Sequence, residues 1–299
     1  MFKGKKIMSE SKRLKIAVFG NAYQDPYLSQ LKELFAKLAD NAFVVDIERN
    51  FHDYLSKRIG DFAFSKVVEI PSDDYALVLS IGGDGTFLHT AQWVGDRGLP
   101  ILGINTGHLG FLSMYRLEET DDLIKSLINN DLTIEQRLLL QVVSSELPKD
   151  VWPYALNEIA ILKQDTSSMI SIRTEVNGFF LADYLGDGLV VSTPTGSTGY
   201  NLSAGGPIMQ PTIDNCVLSP IAPHTLTMRP LVVSANSEIR AVTASRVDTY
   251  RLSLDGRSFS LPCETEITIR KAPFSISVMR HVNDNFAGTL RDKLHWGKR

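Results

Sequence analysis

The sequence predicts two domains of different class, a parallel α/β domain followed by a domain of antiparallel strands. In the first half, apolar strand-like runs alternate with amphipathic helix-like stretches, the order of a parallel sheet covered on both faces. Past Leu132, apolar and polar residues alternate, and two-residue turns join the runs. We therefore expect an N-terminal Rossmann-like α/β domain and a C-terminal β-sandwich-like domain.

The first half contains strands and helices in alternation. The strand-like runs are short and apolar, which indicates burial on both faces of a sheet. The first helix-like stretch places Leu28, Leu31, Leu34, Phe35 and Leu38 on one face, at the spacing of an α-helix. The predicted strands are 15–21, 42–48, 76–81 and 99–105, and the predicted helices are 27–41, 51–60, 87–95 and 120–130.

The second half is built of predicted hairpins. The dipeptides Asn177-Gly178 and Asp255-Gly256 each stand between two alternating runs, and both favour a two-residue hairpin turn. The last stretch has a helical pattern at 289–294 and is expected to pack on the first domain. The strands are predicted at 170–176, 179–181, 250–254, 257–261, 266–270 and 274–278.

These patterns predict the domain boundaries. We expect residues 1–14 to form a flexible N-terminal extension. Residues 15–120 are expected to form the α/β domain, rejoined by the C-terminal segment 280–299, and residues 121–279 the β-rich domain.

Composition narrows the class of protein. The chain of 299 residues is 43% hydrophobic and 22% charged, which is ordinary for a globular protein, and its net charge of -3 offers no basic surface for nucleic acid or an anionic membrane. Cys216 and Cys263 have no metal-ligand spacing and indicate a reducing compartment. No apolar run near the N-terminus is long enough for a signal peptide or a membrane span. We expect a cytoplasmic protein with no nucleic-acid or membrane partner.

The first chemical motif is the sequence GGDGT at 82–86, which follows a buried strand and precedes a helix. Glycines let a ligand approach the main chain, and the start of a helix offers unpaired N–H groups to a phosphate. Asp84 stands out because a carboxylate repels phosphate unless it accepts a proton or holds a metal ion. An ordinary tight turn is the alternative interpretation. The position after a buried strand favours a ligand site.

A second glycine-rich stretch runs from Gly186 to Pro207 around the apolar run 189–191. After this short strand, the chain is dense in hydroxyls, glycines and main-chain donors. Such a loop can hydrogen-bond a purine edge, ribose hydroxyls or phosphate without adding charge. A plain connection is the alternative, although two glycine-rich loops at strand ends favour a binding site.

Together these motifs resemble the signature set of the NAD kinase family, of the bacterial type. The matching stretches are GGDGT at 82–86, the Asn157-Glu158 pair, and GDGLVVSTPTGSTGYNLSAGGP at 186–207, in the family's order and at similar separations. The stretches NTGHLGF, HTLTMRPLV and LRDKLHWG are further similarities, so the resemblance covers nearly the whole chain from Lys15. GGDGT alone is shared with lipid kinases and, in related form, with phosphofructokinases.

The resemblance implies transfer of the γ-phosphoryl group of ATP to the 2′-hydroxyl of the adenosine ribose of NAD, giving NADP. It implies that Asp84 is the catalytic base or orienting group, because an alcohol attacks phosphorus poorly unless its proton has somewhere to go. It also implies Mg²⁺ or another divalent ion with ATP. No GxxxxGK[ST] loop is present. The residues implied for the ATP phosphates are Gly82, Gly83, Gly85, Thr86 and Arg229, the last of which could instead tie strands together.

The resemblance also assigns the NAD site. The Asn157-Glu158 pair supplies acceptors and an amide donor for two neighbouring ribose hydroxyls. Gly199 stands where the family usually has alanine, which leaves the packing beside the base open. Phe111 could lie against a base or fill the junction of the domains. The residues implied for NAD are Phe111, Asn157, Glu158, Asp187, Thr195, Thr198, Gly199, Tyr200 and His224.

The resemblance further implies a homo-oligomer, a dimer or tetramer, with the active site between the two domains. Two other functions stay open from the sequence. One is a different GGDGT-type kinase, acting on diacylglycerol, sphingosine or a sugar phosphate, although the chain has no basic amphipathic segment for a membrane surface. The other is a dinucleotide sensor without turnover, although Asp84 is retained.

Overall fold

The computed structural model describes residues 14–107, 110–165 and 168–297. Residues 1–13 of the predicted N-terminal extension, and His108 of the NTGHLGF stretch, lie outside the described residues. Contacts divide the chain into two compact units, the first formed by Met1–Gln136 with Ile276–Arg299 and the second by Arg137–Ser275. The domain boundaries predicted from the sequence, at 120 and 280, stay a prediction.

The strands are β1 (Lys15–Gly20), β2 (Val44–Glu48), β3 (Lys66–Val68), β4 (Leu77–Ile81), β5 (Ile101–Asn105), β6 (Ser113–Arg116), β7 (Leu132–Val143), β8 (Tyr154–Ala155), β9 (Glu158–Lys163), β10 (Ile170–Val176), β11 (Phe179–Gly186), β12 (Gly188–Ser192), β13 (Asn215–Ile221), β14 (Leu231–Ser234), β15 (Ile239–Ala244), β16 (Thr249–Leu254), β17 (Arg257–Pro262) and β18 (Glu266–His281). The α-helices are α1 (Leu28–Asp40), α2 (Arg49–Ile59), α3 (Asp84–Val94), α4 (Thr120–Asn129), α5 (Tyr200–Ser203) and α6 (Phe286–Leu294).

The first unit is built on a parallel sheet in the order β5-β4-β1-β2-β3. All five residues of β4 and of β5 are buried, which explains their uninterrupted apolar sequence. Helix α1 buries Leu31, Leu34, Phe35 and Leu38, so the predicted apolar face is confirmed. Strand β6 pairs with the end of β5, and the last part of β18 pairs with its start. The parallel α/β class predicted from the sequence is therefore confirmed.

The second unit contains antiparallel strands, as predicted. One sheet has the order β14-β13-β12-β9-β16-β17, and the other includes β11-β10-β15 and the first part of β18. Apolar residues from both sheets form one core cluster. Both predicted hairpin turns are confirmed, because Asn177 and Asp255 have φ of 53° and 48° and a glycine with positive φ follows each.

The structure corrects two local predictions. Helix α3 begins at Asp84 rather than at Phe87, so the aspartate belongs to the helix and not to the loop before it. The two strands predicted at 266–270 and 274–278 form one continuous strand, β18. Pro273 lies between Ile269, at the end of the pairing with β15, and Val278, which pairs with β5, so its missing N–H interrupts neither of these two pairings.

Within the described residues, no helix has the length and apolar character needed to cross a membrane.

Candidate active site

The chain between β4 and α3 makes a sharp, crowded turn at Gly82. Its φ is 147°, and a Cβ atom there would lie 2.3 Å from Oγ1 of Thr86. That hydroxyl is fixed in turn by the side-chain amide of Asn21, which donates a hydrogen bond of 2.8 Å to it. Thr86, which the sequence predicts to contact phosphate, is buried, and its side chain packs against Gly82 and shapes the turn.

Gly83 and Gly85 differ from Gly82. Both are exposed, and a Cβ atom at either position would meet nothing within 4 Å. Packing within the chain therefore does not require glycine there. Gly83 is the N-cap of α3, and the first N–H groups of an α-helix have no acceptor inside the helix. The start of α3 thus carries main-chain donors that have no acceptor inside the helix. The predicted contact of Gly82, Gly83 and Gly85 with phosphate stays a prediction.

Asp84 is held by the segment that precedes β6. Its Oδ2 accepts a hydrogen bond of 2.8 Å from the backbone N–H of Phe111, and its Oδ1 accepts one of 3.1 Å from that of Leu112. The segment approaches so closely that a Cβ atom on Gly110 would lie 1.9 Å from Oδ1. The carboxylate is therefore fixed at the start of α3, while each oxygen keeps a lone pair for another donor.

Arg280 supports the same segment from β18. Its Nη2 donates a hydrogen bond of 2.7 Å to the carbonyl of Phe111, the residue whose N–H binds Asp84. The side chain is buried and has carboxylates of Glu135 and Asp284 at 3.9 and 3.6 Å. A buried arginine needs such partners. No local sequence pattern indicates this support, because Arg280 and Phe111 are 169 residues apart.

In the second unit, the Asn157-Glu158 pair is held by Asp255. The Asp255 carboxylate accepts hydrogen bonds from the backbone N–H groups of Leu156, Asn157 and Glu158, at 2.7, 2.8 and 3.1 Å. Asp255 was predicted only as a hairpin turn residue. Asparagine and aspartate both suit that turn, so no signal in the sequence distinguishes the turn from a carboxylate that holds a distant segment.

The Glu158 carboxyl group is buried with few partners for its charge. Its Oε2 is buried without a hydrogen-bond partner. The pKa of Glu158 is raised to about 7, mainly because burial disfavours the charged form and also because Asp255 repels it, while a hydrogen bond from the Tyr200 backbone acts in the opposite direction. A carboxyl group with an unsatisfied buried oxygen is suited to bind a hydroxyl of a ligand.

The raised pKa of Glu158 predicts a stability that depends on pH. Between pH 4.5 and about 7 the folded protein keeps a proton that the unfolded chain has released, so the free energy of unfolding falls as pH rises through this window. Glu158→Gln removes this titration. We expect the variant to gain about 2–3 kcal/mol relative to the wild type between pH 5 and pH 8, measured by urea unfolding. An identical stability difference at both pH values would contradict the assignment.

The loop after β12 packs directly on the Asn157-Glu158 pair. A Cβ atom on Gly196 would lie 2.2 Å from the Asn157 carbonyl, and one on Gly199 would lie 3.2 Å from Oε2 of Glu158. Thr193 donates a hydrogen bond of 2.6 Å to the Leu156 carbonyl. The structure thus brings the pair together with the predicted loop residues Gly199 and Tyr200. Oγ1 of Thr195 is buried without a partner in the same loop, and Thr198 is half-buried.

Three predicted site residues have other partners in the described structure. Asp187 forms an ion pair with Lys163 at 2.6 Å. His224 is exposed, and its backbone N–H binds the Leu185 carbonyl. Arg229 is exposed and donates to the carbonyls of Leu226 and Met228 in its own loop. Their predicted contacts with NAD and phosphate therefore stay predictions.

A metal cage made by the protein alone does not occur in the described part of the chain. Within residues 14–107, 110–165 and 168–297, no group of three or more His, Cys, Asp or Glu side chains could hold a metal ion.

Two family patterns match most of the chain. The pattern of the ATP-NAD kinase N-terminal domain matches residues 17–132, and that of the ATP-NAD kinase C-terminal domain matches residues 156–281. The chain is 43% identical over 285 residues to an NAD kinase of Bacteroides fragilis, covering 95% of this chain and 98% of the relative. It is 45% identical to an NAD kinase of Porphyromonas gingivalis, with the same coverage.

Solved structures give the same fold. The crystal structure of yeast NADH kinase complexed with NADH superposes with a TM-score of 0.83 at 23% identity, covering 97% of this chain and 90% of that one. An NAD kinase from Archaeoglobus fulgidus in complex with ATP superposes with a TM-score of 0.70 at 29% identity, covering 94% and 99%.

Proposed function

We propose, from the premise that this chain belongs to the ATP-NAD kinase family, that Asp84 is the group that activates the 2′-hydroxyl of NAD. The protein is an NAD kinase by family and phosphorylates NAD to NADP. What is proposed is which residues do so. The observation that carries the proposal is the Asp84 carboxylate, fixed by the backbone N–H groups of Phe111 and Leu112 at the start of α3.

Asp84 accepts the proton of the attacking hydroxyl. Two main-chain donors orient its carboxylate, and the lack of a side chain at Gly110 leaves the space that this carboxylate occupies. An oriented acceptor helps an alcohol attack phosphorus because it removes the proton and aligns the lone pair for in-line transfer. General-base assistance of this kind contributes roughly 10²–10⁴-fold to the rate.

ATP supplies the phosphoryl group, and its phosphates bind at the start of α3. The open main-chain donors there and the unobstructed Gly83 and Gly85 support this placement. The Archaeoglobus relative contains ATP, which supports ATP as the donor. We propose that Mg²⁺ or another divalent ion arrives bound to the ATP phosphates, whose oxygen atoms are ligands that it prefers. Arg229 stays a proposed phosphate contact.

The Asn157-Glu158 pair binds the ribose hydroxyls of NAD. The unsatisfied Oε2 of Glu158 supports this role, since a ribose hydroxyl would supply its missing partner. The loop after β12, which packs on this pair, then contacts the bases of NAD. The remaining residues proposed for NAD are Phe111, Asp187, Thr195, Thr198, Gly199, Tyr200 and His224.

We also propose a cellular compartment and an oligomeric state for the enzyme. Cys216 and Cys263 are free thiols, which supports a reducing compartment such as the cytoplasm. A homo-oligomer is proposed from the family. The edge strand β11 supports it, because the side chains of Phe179 and Phe180 are 78% and 54% exposed on that strand.

The test of the function is direct turnover. Purified protein is incubated with ATP, Mg²⁺ and NAD, and NADP is measured through an NADP-specific dehydrogenase. We expect NADP to form only when both substrates are present. NAD binding without NADP formation would favour the sensor, and phosphorylation of a lipid or sugar instead would favour another GGDGT-type kinase.

A further inference from the structure

Helix α6 places a lysine next to the segment that holds Asp84. The ammonium of Lys293 lies 5.4 Å from the ring centroid of Phe111 and donates a long hydrogen bond of 3.5 Å to the carbonyl of Ser113. Phe111 is the residue whose N–H binds Asp84. Lys293 therefore lies over Phe111, part of the segment that holds Asp84, although Lys293 and Asp84 are 209 residues apart in the sequence.

Lys293 differs from the other half-buried lysines of the described chain because it forms no ion pair with a carboxylate. The four other half-buried lysines each have a carboxylate oxygen at 2.5–2.7 Å from the ammonium nitrogen. Within residues 14–107, 110–165 and 168–297, no ion pair joins Lys293 to an acid. A half-buried cation without a counter-ion is costly unless a ligand supplies the negative charge. The four paired lysines are Lys15, Lys37, Lys163 and Lys271.

The charged groups around Lys293 come from three elements. Asp84 at the start of α3, Asp284 after β18 and Asp292 on α6 attract its charge, and Arg280 on β18 repels it. Burial nevertheless dominates and lowers the pKa of Lys293 to about 8. Asp284 is already paired with Arg280, so the acids present do not fully compensate Lys293.

Lys293 lines a cavity of the first unit. The cavity has a volume of about 540 Å³, and its charged lining consists of the cations Arg280, Arg291 and Lys293 and the acids Glu119, Asp122, Asp284 and Asp292. A phosphoryl group placed for in-line attack lies about 3–3.5 Å beyond a hydroxyl that contacts Asp84. Phe111, against which Lys293 lies, donates a hydrogen bond to that carboxylate. A phosphate in this position would therefore lie near the ammonium of Lys293.

We propose that Lys293 binds the phosphates of the donor nucleotide beside Asp84. This inference rests on the proposed function and adds to it a cation from the C-terminal helix. The chemistry is electrostatic: a fixed ammonium attracts the triphosphate and stabilises the charge on the group in transfer. No contact of Lys293 with NAD is included, because all the residues proposed for the dinucleotide except Phe111 belong to the second unit.

The test compares Lys293→Met, Lys293→Arg and a matched control. Methionine keeps an unbranched apolar side chain against Phe111 but removes the charge, and arginine keeps the charge. Arg291→Ala removes an exposed cation from the same helix and the same cavity. Steady-state kinetics give kcat and KM for ATP and NAD separately, and thermal unfolding reports stability.

We expect Lys293→Met to lower kcat/KM for ATP about 10–100-fold, the range of a charge-assisted hydrogen bond, with KM for NAD and the unfolding temperature unchanged. Lys293→Arg should recover most of the loss, and Arg291→Ala should stay within about twofold of the wild type. In the wild type, kcat/KM for ATP should fall above about pH 8, where Lys293 loses its proton, and this fall should vanish in Lys293→Arg.

Several results would overturn the inference. These are unchanged kinetics in Lys293→Met, a loss confined to KM for NAD, an equal loss in Arg291→Ala, or a loss that follows a lower unfolding temperature and is not recovered by arginine. If the wild type turns over normally and Lys293→Met does too, only this inference fails. If the wild type makes no NADP, the proposed function fails first and this inference with it.

Discussion

Asp84→Asn is expected to lower kcat roughly 10²–10⁴-fold, the contribution of a general base. The asparagine is the same size but cannot accept the proton of the 2′-hydroxyl. One of the two backbone N–H groups, from Phe111 or Leu112, would also face an amide NH₂ instead of an oxygen. NAD affinity should change only about a few-fold, because the dinucleotide contacts are proposed to come mainly from the second unit. Turnover is measured by NADP formation and NAD affinity by calorimetry.

A matched control separates this effect from a general loss of charge. Asp61→Asn removes an exposed carboxylate from the same unit and should leave kcat unchanged. Gly110→Ala is a companion variant, since its Cβ atom would lie 1.9 Å from Oδ1 of Asp84 and must displace the carboxylate. It should lose kcat while Asp84 is still present. Full turnover in Asp84→Asn would remove Asp84 from the mechanism.

Asp255→Asn is expected to destabilise the protein by about 1–3 kcal/mol and to raise KM for NAD about tenfold. Asparagine tolerates the positive φ of 48° at this position, so the hairpin turn is kept. It offers one oxygen where the aspartate offers two, and one of the three N–H groups of Leu156, Asn157 and Glu158 loses its acceptor. The freed pair would bind the ribose less well.

The measurements are urea unfolding and steady-state kinetics with NAD as the varied substrate. Asp248→Asn, an exposed acid just before β16, is the control and should change neither quantity. Unchanged stability and unchanged KM for NAD in Asp255→Asn would return Asp255 to the role of a simple turn residue. Its charge also raises the pKa of Glu158, so the pH dependence of stability should weaken in the variant.

The site could be predicted from the sequence only where its parts are local. GGDGT follows a buried strand, and this order was enough to place Asp84 and the glycines next to a helix start. The loop after β12 was predicted as a binding loop from its glycines and hydroxyls, and the Asn157-Glu158 pair was assigned from the family resemblance; both assignments stay predictions. Asp255, Arg280 and Lys293 were missed as parts of the site, because each acts on a segment about 97 to 180 residues away along the chain.

The sequence by itself determined the two fold classes, the apolar face of α1 and both two-residue hairpins. These features depend on local periodicity and turn chemistry, which can be recognised within a few consecutive residues. Only the tertiary structure decided that Asp84 is held by the N–H groups of Phe111 and Leu112, and that one carboxylate of a hairpin turn holds the Asn157-Glu158 pair. The physical reason is that hydrogen-bond partners across a fold are selected by sheet order and packing, which no local pattern encodes.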